Sequence, residues 1–214
     1  FVAAMEDVLE VYHRPRNPRR PLVCLDEFTK QLVAHTVSPL AMKPGAPQRY
    51  DNEYIRLGSA AAFMVYAPLE GRREIRFGED GRRTAIDYAR VLEYIATEMF
   101  PEAEKIILVE DNLNIHAESS LYKAFEPGKA RRIAECFERH HSPKHGSWLN
   151  IAETEIAAMT RTCLPDRVDD IGEFQSRLLL GVNKRNNARC KTKWHFSCED
   201  ARIQLHNLYP TTQL

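Results

Sequence analysis

Residues 21–28 read PLVCLDEF, a nearly continuous apolar run that carries the acidic pair Asp26 and Glu27 near its end. Such a run is typical of a strand that is buried on both faces of a sheet. Residues 105–112, KIILVEDN, repeat the pattern and also end in acids, among them Asp111. If the two strands are neighbours in the sheet, Asp26 and Asp111 face each other.

The other predicted elements place helices and further strands around these two. They are, in chain order, a hairpin that turns at residues 69–71, a helix over 84–98, a short helix over 119–125 that is stopped by Pro127 and Gly128, a strand within 134–141, a helix after Gly146, a helix from the cap Asp170 to about 183, and a last helix near Glu199. Residues 29–56 contain three prolines and one glycine, which predicts an irregular, ordered loop. This succession predicts an α/β or α+β layered domain with a mixed sheet.

The composition is that of an ordinary globular protein, with 43% hydrophobic and 28% charged residues among 214. The 30 basic and 30 acidic side chains cancel, so the total charge does not point to a polyanionic partner. Five scattered cysteines suit reduced thiols in a cytosolic protein. The sequence shows neither an apolar run long enough to span a bilayer nor a signal-peptide pattern. Phe1 stands in the middle of an apolar periodic pattern, which predicts a fragment of a longer product.

Residues 140–155, HHSPKHGSWLNIAETE, place histidines, a proline, a glycine and a tryptophan ahead of two glutamates. Apolar residues from Leu149 to Cys163 recur at helical spacing, which predicts a helix with one buried stripe. Glu153 and Glu155 lie on opposite shoulders of that stripe, so the periodicity does not choose between them. A strand-end aspartate, taken alone, is more often a turn former or a helix cap than a metal ligand.

Two strand-end aspartates and a helical glutamate suit one reaction class, metal-dependent phosphodiester chemistry. Such chemistry uses two divalent ions about 4 Å apart, which activate the attacking oxygen and hold the leaving oxygen. Hard ions such as Mg²⁺ and Mn²⁺ prefer carboxylate ligands. Because crowded carboxylates repel one another unless a cation joins them, a cluster of these acids implies a metal.

Three blocks, VCLDE, VEDNLNIH and HHSPKHGSWLNIAETE, occur in this order along the chain. Together they resemble the DDE transposases, and more specifically the bacterial insertion-sequence transposases related to the mariner superfamily. The similarity runs from Met5 to the segment WHFSCEDARIQLHNLYP near the end. It implies an α/β, RNase H-like fold: a five-stranded mixed sheet with helices on both faces. It further implies one catalytic domain over residues 1–214, with a core at about 21–165 and a helical, basic extension over 166–214. The family's N-terminal helix-turn-helix region is expected to be absent from this chain.

The same resemblance implies DNA transposition. Asp26, Asp111 and Glu153 match the catalytic acids of the family, and they would hold Mg²⁺ or Mn²⁺, two ions in all. The implied reaction is DNA strand cleavage followed by strand transfer, in which a freed 3′-hydroxyl attacks target DNA at a TA dinucleotide. The implied partners are the transposon ends, target DNA and a second copy of the chain that forms a homodimer. The implied location is the bacterial cytoplasm at the nucleoid, with no membrane involved.

DNA contacts are predicted in two parts of the chain. His116 is a candidate for lying near the phosphate or orienting the metal site, with a histidine that caps the following helix as the competing interpretation. Lys144 and His145 are candidates for binding a phosphate, with solvated surface as the competing interpretation. Trp148 either stacks on a displaced base or, as the buried stripe favours, lies in the core. The run from Lys184 to Trp194 contains no acid and is the best candidate for a face that binds the DNA backbone. Its predicted contacts are Lys184, Arg185, Arg189, Lys191 and Lys193.

Two other functions are compatible with these residues. One is an RNase H-like nuclease that cuts DNA without joining strands. The other is an inactive transposase remnant that only binds DNA or a partner. The presence of all three acids favours an active enzyme, and joined DNA products would distinguish a transposase from a nuclease.

Overall fold

A computed structural model describes residues 1–210 of the chain. The strands are β1 (Leu22–His35), β2 (Tyr54–Ala67), β3 (Arg72–Phe77), β4 (Ile106–Glu110) and β5 (Phe137–His141). They form a five-stranded sheet in the order β3-β2-β1-β4-β5. The β3–β2 and β2–β1 pairs are antiparallel, whereas the β1–β4 and β4–β5 pairs are parallel. The sheet is therefore mixed, as the sequence predicts.

Helices cover both faces of this sheet. They are α1 (Val2–His13), α2 (Ala85–Tyr94), α3 (Ser119–Ala124), α4 (Pro127–Glu135), α5 (Ile151–Cys163), α6 (Ile171–Asn187) and α7 (Cys198–Gln204). One hydrophobic core lies between the sheet and α1, α5, α6 and α7, and it includes Cys24 and Val109. The other lies between the sheet and α2, α3 and α4, and it includes Leu25 and Leu108. The predicted fold class is confirmed.

The central strands β1 and β4 explain the two apolar runs in the sequence. All five residues of β4 are buried, and so are the first six of β1. Along β1, Val23 and Leu25 enter one core while Cys24 enters the other. Because both faces of these strands need apolar side chains, their sequences are continuous rather than alternating.

The predicted irregular loop over residues 29–56 is shorter than expected: residues 36–53 are irregular, whereas the residues on either side belong to β1 and β2. The strands β1 and β2 pair as a long hairpin that extends from Cys24 opposite Tyr66 out to His35 opposite Tyr54. The three prolines interrupt only its tip, where isolated bridges replace a regular ladder. The first six residues of β2 are exposed. The outer half of the hairpin therefore lacks the apolar run that marks a buried strand.

Pro127 and Gly128 begin a helix that the sequence did not predict. The short helix α3 ends before them as expected, but α4 starts at Pro127, where a proline costs no backbone hydrogen bond. The Glu126 carboxylate accepts hydrogen bonds from the backbone N–H groups of Gly128 (2.8 Å) and Lys129 (2.5 Å). A carboxylate at this position stabilises the first turn of a helix. The remaining predicted helices and strands are present, with shifted boundaries.

The C-terminal extension is part of the main fold as far as the structure describes it. Side chains of α6 and α7 enter the same core as those of α5. Residues 211–214, the end of the predicted extension, lie outside the described residues. All five cysteines are free thiols. Among residues 1–210, no helix combines the length and the apolar character that a membrane crossing needs.

The helices α5 and α6 approach each other closely at Gly181. A Cβ atom added there would lie 2.3 Å from the Cys163 sulfur and 2.8 Å from Met159 Cε. Alanine is normally the better helix former, by roughly 1 kcal/mol. At this crossing, however, the added methyl group has no space.

We therefore expect Gly181→Ala to lower the free energy of unfolding by about 1–3 kcal/mol, because it overpacks the contact between the two helices. Urea unfolding followed by circular dichroism measures the change. Cys163→Ala removes the nearest atom, so the double variant should recover part of the loss. If Gly181→Ala stabilises the protein, the close approach is not as described.

Candidate active site

Asp26 does not end its strand as predicted, because β1 continues to His35, whereas Asp111 directly follows β4. The parallel pairing of β1 with β4 brings the two aspartates near each other. The strands are parallel neighbours, and Cys24 lies opposite Val109. Continued by two residues, the same register reaches Asp26 on β1 and Asp111, which directly follows β4. Residues two apart along a strand lie on the same face. Asp26 therefore shares the face of Cys24, which α1 and α5 cover, whereas Asp111 lies just beyond its strand and its carboxylate contacts His116.

Asn150 ties the start of α5 to the first aspartate. Its side-chain oxygen accepts a hydrogen bond from the Ala152 N–H (3.1 Å), which caps the helix. Its side-chain nitrogen donates to the Leu25 carbonyl (2.9 Å) and to Asp26 Oδ2 (3.3 Å). Because Asn150 is fully buried, these contacts are protected from water. The first turn of α5, which contains Glu153, is thereby fixed beside Asp26.

The charge of Asp26 is affected by three neighbouring carboxylates. Burial raises the pKa of Asp26 to about 7, and the negative charges of Glu27, Asp111 and Glu153 add to the shift. Asp111 and Glu153 are therefore both close enough to repel Asp26. A hard divalent cation would relieve this repulsion, and carboxylate oxygens are the ligands that such ions prefer. The donor chemistry fits a metal, although within residues 1–210 no three His, Cys, Asp or Glu side chains already converge as ligands.

His116 joins Asp111 to a second buried acid. Its Nδ1 lies 2.7 Å from Asp111 Oδ1, and its Nε2 lies 3.1 Å from Glu27 Oε2. Glu27 also accepts a hydrogen bond from Arg83 (2.9 Å). Burial acts to lower the pKa of His116, but the polar contacts with Asp111 and Glu27 outweigh it and raise the pKa to about 10. His116 is therefore a fully buried cation between two carboxylates.

The two glutamates of α5 have different surroundings. Glu155 is only 3% exposed, and its carboxylate accepts hydrogen bonds from Arg185 Nε (2.5 Å) and Nη2 (2.7 Å). The fully buried Arg73 places its Nε 2.7 Å from the same carboxylate. Glu155 is thus neutralised by two arginines, whereas Glu153 is partly exposed and lies near Asp26. The helical pattern alone did not distinguish them.

Sequence reasoning assigned no role to Asn150 or Arg83, and none to Glu27 beyond its place in an acidic pair. A signal for Asn150 was available, since asparagine directly ahead of a helical stripe is a common cap. Arg83 had no local signal, because its contact with Glu27 joins residues 56 positions apart. Long-range contacts of this kind are visible only in the folded chain.

The residues predicted to contact DNA lie in different environments. Lys144 and His145 are exposed and line a cavity of about 390 Å³ together with Asp111. Arg185 is half-buried and bound to Glu155. Four other cations of the C-terminal run are exposed, and none of them forms an ion pair within the described part of the chain. They are Lys184, Arg189, Lys191 and Lys193.

A second basic stretch, residues 14–20, is neutralised by acids of the same molecule. Its four arginines form ion pairs with Glu70, Glu104 and Glu138. Charges that already have partners contribute little to the attraction of a polyanion. The four exposed cations of the C-terminal run are therefore the stronger candidates for contacts with DNA.

The interpretation of Trp148 as a core residue is wrong. Its side chain is 43% exposed. Trp148 lies in a 3₁₀ turn (Ser147–Leu149) that precedes α5, and burial begins at Leu149. Because the turn is not part of the helix, the spacing of the helical stripe says nothing about where Trp148 points.

Comparison with known protein families agrees with this arrangement of acids. A family profile described as DDE superfamily endonuclease matches residues 21–175. The chain belongs to the DDE superfamily endonucleases. The match covers the sheet, α5 and all three predicted acids. No curated protein matches the sequence.

Solved structures of the Mos1 mariner transposase have the same fold as this DDE superfamily endonuclease. The Mos1 mariner paired-end complex with Mn has a TM-score of 0.53 and 14% identity, over 88% of this chain and 59% of that chain. The paired-end complex with the left transposon end has a TM-score of 0.54 and 14% identity, over 88% and 60%. The chain thus spans about three fifths of the Mos1 length. The predicted RNase H-like fold and membership of the DDE superfamily are confirmed, while the relation to mariner transposases and to the bacterial insertion-sequence group stays a prediction.

We expect Glu155→Gln and Glu153→Gln to differ in stability. Glu155→Gln leaves the buried Arg73 without its full counter-charge and should lower the free energy of unfolding by about 3–5 kcal/mol. Glu153→Gln removes a partly exposed charge and should change the free energy of unfolding by less than about 1 kcal/mol. Urea denaturation at neutral pH measures both values. Equal effects would contradict the different surroundings of the two glutamates.

The stability of the metal-free protein should depend on pH through Asp26. The pKa of Asp26 is about 7 in the folded chain, against roughly 3.9 when unfolded. The folded state binds this proton more tightly, so stability falls as the pH rises between the two values. Asp26→Asn removes this pH dependence. The free energy of unfolding of the variant minus that of the wild type, measured in EDTA, should therefore be higher at about pH 8 than at about pH 5. If the difference in free energy of unfolding between the variant and the wild type does not change with pH, Asp26 does not have the raised pKa described.

Proposed function

We propose that the chain is the catalytic domain of a DNA transposase, which cleaves DNA strands and transfers them to target DNA. The observation that supports the proposal is the parallel pairing of β1 with β4, because Asp26 and Asp111 each follow the paired residues Cys24 and Val109 by two positions. The bond from Asn150 to Asp26 brings the first turn of α5, and so Glu153, to the same place. Membership of the DDE superfamily endonucleases supports the same chemistry.

Asp26, Asp111 and Glu153 are the catalytic acids of this proposal, and they would hold two Mg²⁺ or Mn²⁺ ions. The chemistry supplied by bound ions is activation of the attacking oxygen and neutralisation of charge at the phosphate. Asn150 keeps Asp26 in place, and His116 keeps Asp111 in place. Water is the attacking group in cleavage, and a 3′-hydroxyl is the attacking group in strand transfer. No covalent intermediate with the protein is required.

Phosphate binding beside the acids is assigned to the loop before α5. Lys144 and His145 line the cavity that also contains Asp111. The N-terminus of α5 adds backbone N–H groups, which favour an anion. A phosphodiester in this cavity would therefore be held by positive charge on one side and lie next to the carboxylates on the other.

Beyond the active-site cavity, the DNA backbone contacts the exposed cations of the C-terminal run, which are Lys184, Arg189, Lys191 and Lys193. Contacts with the backbone supply affinity and position rather than sequence readout. The Mos1 structures include a paired-end complex and a strand transfer complex. By analogy, two copies of this chain act together on transposon ends and on a TA target, in the bacterial cytoplasm at the nucleoid.

Asp26→Asn, Asp111→Asn and Glu153→Gln should each lower DNA cleavage by at least about 100-fold, because each removes a metal ligand. Cleavage is measured as conversion of supercoiled plasmid to nicked and linear forms with Mg²⁺ or Mn²⁺, and EDTA should abolish it. Glu102→Gln is the matched control, since Glu102 is an exposed acid just ahead of β4, at the opposite end of that strand from Asp111. Cleavage by all three acid variants at the wild-type rate would refute the assignment.

Strand joining distinguishes a transposase from a nuclease in the same preparation. A labelled oligonucleotide with a free 3′-hydroxyl is incubated with plasmid and the divalent metal, and the label should become covalently attached to the plasmid. An oligonucleotide that ends in a dideoxynucleotide should give no such product. Cleavage without joined products would favour the nuclease alternative.

A further inference from the structure

Trp148 is the outer member of an aromatic column that runs into the core. Its ring stacks on Trp194, with 6.4 Å between the ring centroids and 23° between the planes. It also meets Phe196 in a T-shaped contact at 6.0 Å. Trp194 lies 5.2 Å from the buried Tyr12, and its indole N–H donates to the Phe196 carbonyl (2.9 Å). One side of the Trp148 ring is therefore supported by fixed aromatic neighbours.

The rest of the Trp148 ring is open to solvent, since 43% of the residue is exposed. Leaving a large apolar ring in water is unfavourable, at about 25 cal/mol for each Å². A tryptophan that is both exposed and rigidly supported can give contact area to a ligand with little loss of side-chain entropy. These properties describe a binding platform rather than a piece of core.

The turn that carries Trp148 is tied to the proposed catalytic acids. The hydroxyl of the buried Tyr12 donates a hydrogen bond to the Leu149 carbonyl (2.6 Å), which fixes the turn against the core. The next residue, Asn150, donates to Asp26. A single residue, Leu149, therefore separates the aromatic platform from the side chain that positions the first acid.

The residues just before Trp148 lie on the same cavity as the second acid. Ser147, His145 and Lys144 line that cavity with Asp111. Lys144 and His145 are exposed; Lys144 supplies positive charge, and the His145 ring can donate a hydrogen bond to a phosphate. An aromatic face beside cations is the combination that binds single strands, because the ring stacks on a base while the cations hold neighbouring phosphates.

We propose that Trp148 stacks on an unpaired nucleobase of the DNA strand that is bound at the acids. The inference rests on the proposed function, because it takes a phosphate of the same strand to lie in the cavity beside Asp111. A base inside a duplex is stacked on both sides, so only an unpaired base offers a free face. Stacking of this kind holds any of the four bases, and it would keep the strand next to the reacting phosphodiester.

Tryptophan fluorescence reports on the stack directly, because the chain has only two tryptophans. Trp194→Phe leaves Trp148 as the single emitter and keeps an aromatic ring beneath it. We expect a single-stranded DNA oligonucleotide to quench the emission of this variant, and a blunt duplex of the same sequence to quench it much less. Equal quenching by both, or a single strand that binds without quenching, would overturn the proposal.

Affinity measurements separate stacking from packing. Trp148→Ala should weaken single-strand binding by about 5- to 150-fold, the effect expected when one base–aromatic stack is lost. Trp148→Leu keeps an apolar side chain against Trp194 but has no aromatic face, so it should lose about as much, while Trp148→Phe should retain most of the affinity. Wild-type binding by Trp148→Leu would overturn the proposal.

Tyr122→Ala is the control for loss of an exposed aromatic side chain. Tyr122 is 46% exposed, and it lies on α3, on the opposite face of the sheet from α5. Its replacement should leave single-strand binding at the wild-type level. A loss of affinity equal to that of Trp148→Ala would show that the effect is not specific to the platform, and would overturn the proposal.

Failure of this inference and failure of the proposed function give different results. Binding and quenching are measured in EDTA, so they do not depend on cleavage. If the wild type cleaves plasmid but the Trp148 variants bind single strands normally, only the stacking proposal is wrong. If the wild type neither cleaves nor joins DNA but quenching is selective for single strands, the nucleobase site stands and the catalytic assignment is wrong.

Discussion

The parallel pairing of β1 with β4 is the constraint on which the rest of the site depends. In the observed register Cys24 faces Val109, which sets Asp26 level with Asp111. A slip of one residue would move the side chains of β4 to the wrong faces of the sheet and would shift Asp111 along β1 relative to Asp26. The apolar residues ahead of each aspartate therefore fill both cores and also determine where the acids lie.

Burying several carboxylates next to one another is unfavourable. Most of the buried carboxylates near the site are stabilised by an ion pair with an arginine. Glu110, fully buried beside Asp111, accepts a hydrogen bond from the Tyr88 hydroxyl (2.7 Å) and pairs with Arg139. Glu155 and Glu27 likewise have arginine partners. Within residues 1–210, Asp26 receives hydrogen bonds from two neutral donors, the Asn150 side chain and the Glu27 backbone N–H. Among the buried acids of this region, Asp26 is thus the one whose charge still requires a cation.

The sequence predicted the central strands because a strand buried on both faces leaves a continuous apolar run. It did not predict the outer half of the β1–β2 hairpin, where exposed residues carry no such signal. Helical periodicity left Glu153 and Glu155 equivalent, because their difference comes from Arg73 and Arg185, which are distant along the chain. The identity of Glu153 came from the resemblance to DDE transposases. Exposure of Trp148 depended on a 3₁₀ turn that periodicity cannot detect.

The central claim is that Asp26, Asp111 and Glu153 form one divalent-metal site, and calorimetric titration with Mn²⁺ tests it most directly. The wild-type chain should bind Mn²⁺, and Asp26→Asn, Asp111→Asn and Glu153→Gln should each lose most of that binding. Glu102→Gln, which changes an exposed acid outside the site, should bind as the wild type does. If all of these variants bind Mn²⁺ like the wild type, the three acids do not share a site in the free protein and the claim is contradicted.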